Sequence, residues 1–150
     1  MPKALRPMKS NGNPLLPIVG DGAKYLSVRN KDLPPDSDGN AVPDQGGLSV
    51  VSSMHGLRIR MQRGKFPPTM VPRRLADQGI LPGAIGTNDI VVFALGNGAF
   101  EEGLIAENLK LVPDVDHHGT IQPDRLMPYE QYRTAIHETR SLWRDGEKDE

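Results

Sequence analysis

The chain predicts an α+β fold, a mostly antiparallel sheet core closed by a C-terminal helix. Three observations carry this expectation. Short apolar segments recur between turn residues, and "IVVFAL" (90–95) has no polar break, so it reads as a strand buried on both faces. Prolines interrupt nearly every helical pattern before residue 127. Beyond it, Met127, Tyr132, Ala135, Ile136, Thr139, Leu142 and Trp143 recur at helical spacing as one apolar stripe.

Taken in order, residues 1–23 hold Pro2, Pro7, Pro14 and Pro17 among glycines, and predict a flexible N-terminal arm. A single α+β domain is expected over 24–144, with a disordered acidic tail at 145–150. "KYLSVRN" (24–30) alternates as a half-buried strand would. A long loop follows, rich in Pro-Pro, Asp-Gly and Gly-Gly pairs. "LSVVSS" (48–53) and "LRIRM" (57–61) predict a hairpin. A short helix is expected at 73–78, stopped by Gly79, and another at 99–109, weakened by Gly103. "LKLV" (109–112) and "HHGTI" (117–121) then predict two strands joined by "PDVD". In the last helix Pro128 suits the first turn, Glu130 opposes the positive end of the dipole, and Trp143 is the largest apolar group.

Composition excludes several chemistries. With 150 residues there is room for one domain, not two. The absence of cysteine removes disulfides, thiolate zinc sites and cysteine nucleophiles. A net charge of -1 argues against nucleic acid as the partner. No apolar run is long enough to span a bilayer, and the basic start has no apolar stretch behind it. A cytoplasmic protein is expected, or one secreted by a route that needs no cleavable signal peptide.

Among candidate site residues, His117 and His118 are adjacent, so on a strand they face opposite ways and do not share one metal ion. One of them is expected in a cleft, and no metal is expected. "ALGNGAF" (94–100) carries a lone Gly-x-Gly and reads as a turn. Arg58 and Arg60 fall two residues apart, on one face of the predicted strand. That spacing suits a phosphate-bearing ligand, and equally a charged edge strand.

The stretches "YLSVRN", "VPDQGGLSV", "LKLVPDVDHHGTIQP" and "LMPYEQYRTAIHETRSLW", in that order, resemble a family. It is the small cytotoxic effectors of the bacterial type VI secretion system with an ADP-ribosyltransferase-like fold. The resemblance implies a toxin that binds NAD, acts on a cytoplasmic target and is restrained by a cognate immunity protein or antitoxin. It implies that Arg29 lies beside the NAD phosphates and ribose, and that Ser49 shapes the nicotinamide pocket. His117 or His118 would occupy the third strand, where such transferases carry a glutamate. This chain has no Glu-x-Glu or Gln-x-Glu there; Gln122 follows Ile121, and Glu101 or Glu102 would have to supply a carboxylate from a loop. Two other functions compete: a non-enzymatic protein-binding module on the same scaffold, and an RNA-directed toxin using His55, His117 or His118 with the arginines.

Overall fold

A computed structural model describes residues 2–12 and 15–148. Met1, Asn13, Pro14, Asp149 and Glu150, which fall in the expected arm and tail, lie outside the described residues.

Among the described residues nine strands and three α-helices follow one another. They are β1 (Lys3–Lys9), β2 (Asn40–Ala41), β3 (Leu48–Val51), α1 (Met54–Gln62), α2 (Arg73–Asp77), β4 (Ile90–Gly96), β5 (Gly103–Ala106), β6 (Leu109–Pro113), β7 (His118–Pro123), β8 (Met127–Pro128), α3 (Tyr129–Glu138) and β9 (Arg144–Asp145). Seven strands form one sheet in the order β5-β6-β7-β3-β1-β4-β9, and every pairing in it is antiparallel. The predicted class, a mostly antiparallel sheet with a C-terminal helix, is what the chain adopts.

Alternation along the strands splits the core in two. Ala4, Met8, Val91, Phe93 and Leu95 belong to the cluster that includes Tyr132, Ile136 and Trp143. Leu5, Val92 and Ala94, one residue out of phase, belong to the cluster that includes Leu57, Val71 and Leu75. α3 therefore covers one face of the sheet, and α1 with α2 covers the other. Trp143 is buried, and its indole N–H donates to Thr139 Oγ1 across 2.9 Å. The terminal helix is shorter than its stripe: α3 stops at Glu138, a 3-10 turn spans Arg140–Leu142, and Leu142 is exposed.

Five expectations are corrected. Residues 3–9 are not an arm but a buried strand, paired in seven-residue register with β4 from Lys3↔Gly96 to Lys9↔Ile90. A proline inside a central strand is normally excluded because it cannot donate to a ladder. Lys9, two residues on, sends its N–H to Lys24 O on the side away from β4. Pro7 therefore faces that same side, where the ladder to β3 is already broken, and no bond is lost. At the other end, Asp145 pairs with Phe93 and Gly146 is buried, so the tail does not fray from 145.

The segment 24–30 buries Leu26, Ser27 and Val28 in succession instead of alternating, and it is a loop with no ladder. "LRIRM" lies within α1. Ser53 caps that helix by accepting the Gly56 N–H at 2.9 Å, worth about 1 kcal/mol, and Met54, Leu57 and Met61 reach the core at helical spacing. The helix expected at 99–109 does not form; β5 (Gly103–Ala106) and β6 (Leu109–Pro113) make a hairpin across it. Ile105 is buried and Leu104 exposed, a period of two, and Asn108 makes the turn with φ 68°.

Candidate functional site

The site begins with a break in the sheet. β1 and β3 share one registered pair, Leu5↔Val51, whereas β3 continues beside β7 for four pairs. Arg6 occupies the resulting split. Its Nη1 donates to Ser49 O at 2.8 Å, and its Nη2 donates to Ala23 O at 2.9 Å and Tyr25 O at 3.0 Å. These bonds replace missing ladder rungs and dock the 23–29 loop on the sheet. Arg6 is only 8 % exposed, and burial draws its pKa down to about 10, partly offset by Asp32.

A cleft of about 230 Å³ opens over this split. Arg6, Arg29, Asp32, Ser49, Arg60 and His118 contribute its polar lining, with Lys65 at the rim, and Phe66 and Met70 contribute apolar surface. Arg29 and Asp32 are i,i+3 partners in a turn. Nε and Nη2 of Arg29 donate to the two carboxylate oxygens at 3.0 and 3.1 Å. Asp32 is held from behind, because Gly47 N donates to its carbonyl at 3.0 Å. Gly46, with φ 129°, allows that approach: a Cβ there would stand 2.2 Å from Asp32 O. The Gly-Gly pair before Ser49 therefore holds the acid of the cleft in place.

Ser49 is the exposed residue of β3 and pairs with Thr120. His118 opens β7, and its Nδ1 lies 2.9 Å from both oxygens of Asp114. A carboxylate at Nδ1 selects the tautomer in which Nε2 carries the lone pair. Arg60 reaches the cleft from α1. Its Nη1 donates to Asp116 O at 3.2 Å, and burial lowers its pKa, opposed by Asp114.

Three other predicted residues lie elsewhere. His117 sits in the β6–β7 turn with φ 64°, its Nδ1 3.2 Å from Ser52 Oγ and its ring edge-on to His55. Gln122 is buried. It accepts from Asp44 N at 2.8 Å and donates to Thr120 Oγ1 at 2.9 Å, so it anchors the loop before β3. Arg58 donates to Ile80 O at 3.1 Å. It shares no face with Arg60, because residues two apart on a helix diverge. Glu101 and Glu102 do not line the cleft; the one carboxylate among the residues lining it is Asp32.

Sequence reasoning missed Arg6 and Asp32, and did not pair Asp114 with His118. Arg6 carried a signal, a lone arginine among Ala4, Leu5 and Met8. Asp114 carried one too, four residues before a histidine across a tight turn. Asp32 carried none.

Chemically, the cleft sets four cations, Arg6, Arg29, Arg60 and Lys65, against one carboxylate. Such a balance suits an anionic ligand. Among the described residues no group of three or more His, Cys, Asp or Glu side chains is placed to hold a metal ion. No helix among them is long and apolar enough to cross a membrane. No family model, no curated protein and no solved structure matches the chain.

Proposed function

We propose that the chain is a bacterial toxin of ADP-ribosyltransferase-like fold that takes NAD into this cleft, acts on a cytoplasmic target and is restrained by a cognate immunity protein. One observation carries the reading. Arg29, Ser49 and His118, singled out from three stretches of sequence, line one cationic cleft over a split in an antiparallel sheet. The order of the four stretches that resemble the effector family supports it further.

In this reading Arg29 and Arg60 take the NAD phosphates, and Ser49 lines the nicotinamide end. Cleavage of the glycosidic bond releases nicotinamide with the bonding electrons and leaves a cationic ribose. A nearby carboxylate stabilises that charge, and Asp32 is the one at hand. His118, oriented by Asp114, can accept the proton of the attacking nucleophile.

Calorimetry with NAD on the purified chain tests the reading, together with growth of bacteria expressing it. NAD should bind, and Arg29→Ala, Ser49→Ala and His118→Ala should each relieve growth arrest. A folded protein that ignores millimolar NAD overturns the transferase reading and leaves the protein-binding module as the better account.

A further inference from the structure

We propose that the cleft is one lobe of a two-lobed dinucleotide site, and that the Phe66 ring is the platform for a base held in the second lobe. This rests on the reading that the cleft takes NAD. At about 230 Å³ the cleft alone falls below the roughly 300–1,000 Å³ of pockets that enclose a drug-sized ligand. A second recess of about 420 Å³ adjoins it, lined by Met61, Gly64, Lys65, Phe66, Pro67 and Pro68. Lys65, Phe66 and Pro67 line both. The two volumes together fall within the range, so a ligand with two bases joined by phosphates must cross this ridge.

The ridge is built to stay in place. α1 ends in a Schellman motif: Gly64 N donates to Met61 O at 3.1 Å, and Lys65 N donates to Arg60 O at 2.8 Å. Gly64 has φ 69°, the left-handed conformation the motif requires. Arg60 Nη2 also donates to Lys65 O at 3.3 Å. Pro67 and Pro68 stiffen the chain beyond, and Phe66 is half-buried against the Leu57 cluster. A half-buried ring on a fixed ridge offers a stacking surface, with Lys65 beside it for a bridging phosphate. Apart from Lys65 no polar side chain lines the second recess, so it suits the flat face of a base better than a second phosphate.

Calorimetry with two probes, NAD and inorganic pyrophosphate, separates the lobes. Phe66→Ala should weaken NAD about fivefold or more, the loss of one base–aromatic stack, while pyrophosphate affinity stays as in the parent. Phe66→Tyr should restore NAD binding. Phe66→Leu retains apolar packing without the ring, so it should also lose NAD affinity, and it serves if the alanine variant fails to fold. Unchanged NAD affinity in Phe66→Ala and Phe66→Leu would overturn the two-lobed site and leave the NAD reading standing. A parent that binds pyrophosphate but not NAD would overturn both, and would show the cleft to be a simple anion site.

Discussion

Nη1 of Arg6 lies 2.8 Å from the main-chain carbonyl oxygen of Ser49, and that bond spans the split between β1 and β3. The guanidinium serves three carbonyls on two segments of chain, so truncation strands all three. Arg6→Met should cost about 3 kcal/mol or more in denaturant unfolding. Arg6→Lys should recover only part, because an ammonium cannot match the planar fork. A wild-type midpoint for Arg6→Met would show that the split closes without it.

Arg29 is engaged by Asp32 before any ligand arrives, so an incoming phosphate must compete with that carboxylate. Asp32→Asn should tighten NAD or pyrophosphate binding by up to about fivefold, since the pair is partly exposed. Arg29→Ala should weaken binding more than Arg29→Lys does. In the Arg29→Ala background the Asp32 substitution should have no effect. Equal tightening with and without Arg29 would mean that Asp32 acts through overall charge alone.

Burial lowers the pKa of His137 from its ordinary value of 6.5, with Arg133 pushing the same way, and its Nε2 is buried without a partner. The folded chain therefore binds this proton less readily than the unfolded chain. Its contribution to stability is full above about pH 6.5 and is lost as pH falls from there towards the lower folded value. Melting temperatures at about pH 7.5 and about pH 5 should differ less in His137→Gln than in the parent. Equal differences would assign the acid sensitivity to other groups.

Trp143 is 2 % exposed and closes the α3 side of the core. Trp143→Ala should destabilise by about 3–5 kcal/mol. Trp143→Phe should lose less, keeping most of the volume but forgoing the bond to Thr139. An unchanged melting curve for the alanine variant would mean that the core closes without the indole.

Where burial sets the pattern, the sequence was legible. "IVVFAL", "LSVV" and the Tyr132–Ile136 stripe take the predicted elements because their apolar residues pack into the core. Local rules failed where distant partners decide. Pro7 marks a loose segment only until β4 is known to lie on one side and a split on the other. Leu26 and Val28 are buried, but so is Ser27 between them, and Arg6 instead of a neighbouring strand donates to the Tyr25 carbonyl. Arg58 and Arg60 read as strand neighbours because their spacing fits either element, and the Ser53 cap decides for helix. Motif order pointed to Arg29, Ser49 and His118, which line the candidate cleft, and to His117 and Gln122, which do not. It did not point to Asp32, because the place of that residue depends on two glycines fourteen and fifteen residues further on.

The ladder between β1 and β4 joins residues nearly ninety positions apart, while β5, β6 and β7 follow one another directly. β1 therefore finds its place only after β4 has been made, whereas the local hairpins can form without it. Until it arrives Arg6 has no split to fill, and the 23–29 loop has nothing to dock on.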